Sequence, residues 1–229
     1  MEKMRDIKLV VFDIAGTIIE DKGEVVTAFS TALKMNGIPF SETELEEWKG
    51  ASKREVIRHF VVREGGQSST SDDTVEQTYK LFRSELERVY RGHIKPIEGA
   101  ASTFDWCREH HIQLATTTGF YSDIRDMILN VLGWRDLFAA NICSSDVQRG
   151  RPAPYMIFRA METAGIEDVR QVVNVGDTPL DLQAGTNAGV RGVVGVLTGF
   201  HGKQRLEREP HTHILPSIAE LPLLLEHRI

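Results

Sequence analysis

The feature that most constrains this chain is a short aliphatic run, Ile7-Lys8-Leu9-Val10-Val11-Phe12, that stops abruptly at a carboxylate, Asp13. A strand with one wet face alternates apolar and polar residues, whereas a nearly continuous apolar run reads as a strand buried on both faces of a parallel sheet. Similar runs recur at Ile112 to Thr116, Ala139 to Cys143, Val172 to Val175 and Gly192 to Leu197. Amphipathic helical stretches lie between them, for example Tyr121 to Leu132 and Tyr155 to Ala164. Strand and helix alternate, so the predicted fold class is α/β, a doubly wound parallel sheet with helices on both faces. A last apolar piece, His213 to Leu215, reads as an edge strand, and Ser217 to Leu225 as a closing helix. Sheets of this kind bind ligands beyond the carboxyl ends of their strands, which is where Asp13 stands.

The stretch from Glu20 to Arg91 is too long for one crossover between parallel strands, and its pattern is helical throughout. It reads as an inserted helical domain. The expected division is a core of residues 1–19 and 93–229 and a helical cap of residues 20–92. The polar segment from Gly65 to Ser71 marks a loop between cap helices.

Bulk properties bound the class without fixing the function. A chain of 229 residues accommodates one large domain, or a medium one with a smaller insertion, and its 41% hydrophobic and 26% charged residues are those of a globular enzyme. A net charge of −6, with no long basic run, excludes an electrostatic footprint for nucleic acid. An anionic substrate would have to be held by local donors. Cys107 and Cys143 stand far apart in no metal or redox spacing, and read as buried thiols in a reducing compartment. No apolar run approaches the roughly 18 residues of a membrane span, and no signal peptide is evident, so a cytoplasmic protein with no membrane partner is expected. The histidines form no pair at metal-ligand spacing on a credible helix. His110, His111, His211 and His213 read as surface residues, and Trp48, Trp106 and Trp134 as local packing.

Four segments carry chemistry, each placed after a strand. Asp13-Ile14-Ala15-Gly16-Thr17 follows the first, Thr116-Thr117-Thr118-Gly119 the second, Asp146 to Arg151 the third, and Val175-Gly176-Asp177-Thr178-Pro179-Leu180-Asp181 the fourth. Taken singly, an Asp or Thr at such a place is equally a helix cap. Together, hydroxyls and amides ahead of a helix can cradle a phosphoryl oxygen, and converging carboxylates suit magnesium.

In this order the motifs resemble those of the haloacid dehalogenase superfamily, whose opening motif is Asp-x-Asp-x-Thr. The Ala15 variant, Asp-x-Ala-Gly-Thr, resembles its phosphonatase branch, the phosphonoacetaldehyde hydrolases. The resemblance implies a Rossmann-like core with Asp13 as the nucleophile that takes up a phosphoryl group. It further implies Mg2+ as cofactor, held by the set Asp13, Ala15 and Asp177, with Asp181 and Thr178 in supporting places. Thr17, Thr118, Gly119 and Arg151 are the implied phosphate-binding residues, and Arg151 stands where the superfamily has a lysine. A guanidinium fork matches phosphate geometry, so the exchange preserves that function.

Ala15 can neither protonate a leaving alkoxide nor activate water, which an ester phosphatase of this superfamily asks of its second Asp. A carbon leaving group needs an electron sink instead, and a lysine iminium on a β-carbonyl supplies one. The phosphonatase branch uses a cap lysine, and Gly50-Ala51-Ser52-Lys53 is similar to its Gly-x-x-Lys segment. Locally, Ser52-Lys53-Arg54-Glu55 reads as a capping box that puts Lys53 at the first helical position, where the helix dipole, Lys49 and Arg54 depress its pKa. Lys53 is therefore the third catalytic candidate, beside Asp13 and Arg151. Three positions depart from the branch pattern: Lys49 stands in place of Met, Val56 in place of His and Phe120 in place of Tyr. The expected substrate is phosphonoacetaldehyde or a related carbonyl phosphonate. The alternative is a phosphate-monoester phosphatase of the phosphoglycolate phosphatase type. The resemblance also suggests a homodimer formed through the cap.

Overall fold

Strand β1 (Leu9–Phe12) buries all four of its side chains and divides them between two cores. Leu9 and Val11 join one apolar cluster, and Val10 and Phe12 join the other, as the twofold period of a strand requires when both faces are covered. The remaining strands are β2 (Gln113–Thr118), β3 (Ala140–Cys143), β4 (Val172–Gly176), β5 (Gly192–Val196) and β6 (His213–Leu215). The computed structural model describes residues 7–65, 69–90 and 94–227.

All pairings are parallel, in the order β3-β2-β1-β4-β5-β6. The chain winds outward from β1 first to β2 and β3, and then on the other side to β4, β5 and β6. The winding direction reverses at β1, so the loops after β1, β2 and β4 converge on one crevice. β2 extends to Thr118, two residues beyond the sequence-based end, because consecutive threonines are β-branched and continue the ladder with β3 as far as Cys143.

Between β1 and β2 lie α1 (Glu24–Met35), α2 (Glu42–Glu47), α3 (Lys53–Gly65) and α4 (Ser69–Tyr90). The chain leaves and re-enters the sheet through a paired stem. Glu20 N–H donates to the Lys95 carbonyl at 2.9 Å, and Ile97 N–H to that of Ile18 at 3.0 Å. The four helices pack on one another through α1 with α4 and α3 with α4, where Phe29 stacks on Phe82 with centroids 4.3 Å apart. Of the expected loop at 65–71, Gly65 ends α3 and Ser69 to Ser71 begin α4, while residues 66–68 lie outside the described residues. Hydroxyl and acidic residues favour the start of a helix, which accounts for α4 reaching back into that polar segment.

After the insertion come α5 (Ala100–Glu109), α6 (Ser122–Val131), α7 (Tyr155–Ala164), α8 (Pro179–Ala188), α9 (Lys203–Leu206) and α10 (Leu221–His227). α7 and α8 cover the Leu9/Val11 face of the sheet, and α5, α6 and α10 belong to the Val10/Phe12 core. On that second face the edge of Phe12 meets Phe104 with centroids 5.4 Å apart. Deleting a ring buried to this degree costs about 3–5 kcal/mol, so the strand that carries Asp13 is fixed by strong packing. Cys107 and Cys143 are buried and free, as expected. Among the described residues no helix is long and apolar enough to cross a membrane.

Candidate active site

Asp13 begins where β1 ends, its amide donating to the Val175 carbonyl at 2.9 Å, and its carboxylate is buried. The chain then turns sharply. Thr17, Ile18 and Ile19 N–H all point at the Ile14 carbonyl, and Gly16 takes a φ of +88° that glycine adopts without strain. Asp177 occupies the corresponding place after β4, and Asp181 the first turn of α8. Thr178 caps that helix reciprocally with Asp181, a capping box whose second member is a carboxylate facing the site.

Oxygens of Asp13, Asp177 and Asp181 lie within 4.8 Å of one another, all three residues buried. Burial, then repulsion from Asp13, Asp181 and Asp21, drives the Asp177 carboxyl well above the ordinary range, against a hydrogen bond from Thr17 at 3.2 Å. Burial likewise raises Asp181 to about 6, although Arg151 opposes the shift. Buried like charges this close are costly unless a cation joins them, so the donor set fits a hard divalent ion. Ala15 could add only its backbone carbonyl; the residue lines the cavity in front of Asp13. Backbone closes tightly on Asp177: a Cβ at Gly16 would stand 2.6 Å from its Oδ2, and one at Gly199 1.9 Å.

Arg151, at the end of the third motif, lies beneath this cluster and is itself buried. Its Nη1 donates to Asp13 at 2.7 Å and lies 2.8 Å from Asp181, while Nη2 donates to the carbonyl and hydroxyl of Thr117 at 2.9 and 2.8 Å. The guanidinium thus ties the ends of β1, β2 and α8 together. Arg149, its neighbour, is exposed.

Thr118 and Gly119 close the opposite wall. The Thr118 hydroxyl accepts from Phe120 N–H at 3.1 Å, and Gly119 touches the inserted helices: a Cβ there would lie 2.3 Å from the Ala51 carbonyl. Gly50, with φ +87°, packs equally closely on Thr178, and Lys53 N–H donates to the Gly119 carbonyl at 3.1 Å. The segment from Gly50 to Lys53 is therefore laid directly over the sheet edge, and Lys53 opens α3 as the sequence predicts.

Lys53, Asp13, Thr118, Gly119, Phe120 and Asp177 line one cavity. Lys53 Nζ donates to the Ala51 carbonyl at 3.2 Å and stands 5.1 Å from the centroid of the Phe120 ring. Its pKa is depressed to about 8, first by burial, with Arg151 and Lys49 pushing the same way and Asp13 and Asp21 opposing. The expected direction holds, but its main cause is burial. Arg54, expected to contribute, turns away to stack between Tyr79 and Tyr121 and to pair with Glu76. Glu55, expected to box Ser52, is directed at the loop of Arg149 and Gly150.

The structure brings Asp13, Ala15, Lys53, Thr118, Gly119, Asp177 and Thr178 to the cavity wall, and sets Arg151, Asp181 and Thr17 immediately behind it. Thr17 is fully buried and its hydroxyl serves Asp177, which makes it a support for that carboxylate. Among the polar wall residues, Asp21 escaped the sequence reading, and Lys49 was read only as a departure from the branch pattern and a neighbour of Lys53. Asp21 accepts from the amides of Gly23 and Val25, so an Asp placed before Gly and a helix start was the available signal. Trp48, taken for local packing, does stack near His59 but also lines the cavity.

Comparisons with known proteins place the family and the fold. Residues 10–195 match the family model described as haloacid dehalogenase-like hydrolase. The chain is 31% identical to a phosphonoacetaldehyde hydrolase of Hahella chejuensis, over 96% of this chain and 86% of that one. Among solved structures it is similar to a phosphonoacetaldehyde hydrolase-like protein from Oleispira antarctica, with TM-score 0.83, 24% identity, and 96% and 91% of the two chains covered. It is also similar to a predicted phosphoglycolate phosphatase from Haemophilus somnus, with TM-score 0.79, 20% identity, and 96% and 98% covered. At those identities the two structures speak for the fold alone.

Proposed function

Because this chain belongs to the haloacid dehalogenase-like hydrolase family, we propose that it is a Mg2+-dependent phosphonatase that cleaves the C–P bond of a β-carbonyl phosphonate. The observation that carries the reading is a buried lysine of lowered pKa in the same cavity as Asp13, in a chain whose position 15 holds no acid.

In this reading α1 to α4 form the cap, and Lys53 reaches the substrate from it. Its neutral amine adds to the substrate carbonyl, and loss of water leaves an iminium. Asp13 then attacks phosphorus. Arg151 holds Oδ1, so Oδ2 is the oxygen left to form the new bond. The C–P bond breaks as its electron pair moves into the iminium, giving an enamine and an aspartyl phosphate. Protonation at carbon and addition of water release the carbonyl product from Lys53, and a second water cleaves the aspartyl phosphate. Net, one phosphonate and one water give one carbonyl compound and one phosphate. Asp13, the Ala15 carbonyl and Asp177 would hold Mg2+, with Asp181 alongside; bound there, it would offset repulsion between carboxylate and phosphonate. Thr118 and the Gly119 amide would steady the equatorial oxygens.

Borohydride reduction during turnover of a β-carbonyl phosphonate should attach the substrate carbon skeleton to Lys53, as peptide mass spectrometry would read. Turnover of that phosphonate without label at Lys53 would remove the Schiff-base mechanism, and a Lys53→Arg protein that keeps most of its activity would instead favour an ester phosphatase.

A further inference from the structure

Lys49 presents an ammonium that nothing in the mechanism above uses. The side chain is 7% exposed and lines the same cavity as Asp13 and Lys53. Its Nζ has no hydrogen-bond partner among the described residues. It stands 3.6 Å from the centroid of the Phe200 ring and 3.8 Å from Asp21 Oδ2. That separation is about an ångström beyond a charge-assisted hydrogen bond. Asp21 cannot easily close the gap, because its other oxygen is held by the amides of Gly23 and Val25. Asp21 and Phe200 therefore fix the position of the ammonium and leave its N–H donors unmet.

Asp21 offsets the charge of Lys49 at 3.8 Å but accepts no hydrogen bond from it, and desolvated N–H donors left without an acceptor are costly. Burial accordingly lowers the Lys49 pKa, with Asp21 and Asp177 opposing that shift. Such a group is a preformed receptor for an anion. Trp48 and Phe120 line the same cavity and limit water, which strengthens any charge pair formed there. The phosphonate end belongs with Asp13, Thr118 and Gly119, so Lys49 is left for another part of the molecule.

We propose that Lys49 is a specificity-determining residue that binds a second anionic group, a carboxylate, at the end of the substrate away from phosphorus. This deepens the phosphonatase reading and rests on it: the substrate class becomes a carbonyl phosphonate that also carries a carboxylate.

The test uses two unreactive probes that differ only at that end, 3-phosphonopropanoate and propylphosphonate, titrated by calorimetry into the whole protein with Mg2+ present. Neither has an aldehyde or ketone that could form an iminium, so the comparison is independent of Lys53 chemistry, and failure of the Schiff-base reading would appear in borohydride trapping instead. A hydrogen-bonded charge pair predicts roughly 10–100-fold tighter binding of the carboxylated probe by the parent. In Lys49→Met the preference should vanish. Lys49→Gln, which keeps a donor without charge, should retain a small part of it, and carries the same comparison should the Met variant not fold. Equal affinities in the parent, binding of neither probe, or a preference that survives in the variants would overturn the assignment.

Discussion

Arg151 holds Asp13 from below the cavity by a hydrogen bond of 2.7 Å from Nη1. The same nitrogen lies 2.8 Å from Asp181, and Nη2 serves the carbonyl and hydroxyl of Thr117. A lysine has three donors on a flexible stem and cannot reproduce this planar fork. Arg151→Lys should therefore leave one of these buried acceptors unmet, at about 1–3 kcal/mol. For a chain of this size that lowers Tm by roughly 2–10 °C, and kcat/KM should fall about 10–100-fold as Asp13 loses its orientation. Calorimetric melting and phosphate release would check both. Full activity in the variant would show that Asp13 does not depend on this contact.

The depressed pKa of Lys53 sets the direction of the pH profile. Only the neutral amine can attack a carbonyl, and the folded protein releases that proton near pH 8, well below the ordinary lysine value of 10.5. kcat/KM should climb about tenfold per pH unit up to about 8 and level off above it. The unfolded chain keeps the proton up to 10.5, so between 8 and 10.5 it binds more protons than the folded one, and this group's contribution to stability increases with pH there. A rate profile flat from pH 6 to 9 in the presence of saturating Mg2+ would count against an amine nucleophile.

Most of the frame was legible because it depends on local patterns. The doubly buried strands announce themselves as apolar runs, and the carboxylates after β1 and β4 are fixed by the ends of those runs. What sequence could not supply is the third dimension of the insertion. Lys49 precedes Gly50 and Lys53 follows it by three residues, and nothing in that spacing says that each is less than a tenth exposed. That follows only when Gly50 packs on Thr178 and Gly119 on Ala51. The lowered pKa of Lys53 was anticipated for a partly wrong reason, since a helix terminus can be read from sequence and burial cannot.

If the carboxylate cluster holds Mg2+ as proposed, stability and metal binding should titrate together. Asp181 is raised from 3.8 to about 6, and burial and its carboxylate neighbours raise Asp177 in the same direction. A carboxyl with a raised folded pKa contributes stability that is complete below its unfolded value and is lost as pH climbs through its folded one. The metal-free protein should thus lose stability between about pH 4 and 6 as Asp181 ionises, and added Mg2+ should restore it. Melting curves should show a larger Mg2+-induced increase in Tm at pH 7.5 than at pH 5; a hundredfold excess over Kd corresponds to about 2.7 kcal/mol of stabilisation. Asp177→Asn should raise the metal-free Tm at neutral pH and abolish the Mg2+ increment. An increment that is equal at both pH values would remove these carboxylates as ligands.

Closure of the site depends on backbone meeting backbone at Gly119. A methyl group there would lie 2.3 Å from the Ala51 carbonyl and 2.9 Å from that of Gly50, contacts that no side-chain rotation can relieve. Gly119→Ala must then push the segment carrying Lys53 away from the sheet edge or distort the turn after β2. Displacement of a catalytic group by about an ångström is enough to cost roughly a hundredfold in rate. The loss should fall on steps that need Lys53. Labelling by borohydride should slow by about that factor, whereas Mg2+ affinity, which the proposed site assigns to carboxylates at the ends of β1 and β4, should change little. Loss of metal affinity in parallel with labelling would mean that the substitution had disturbed the sheet edge itself.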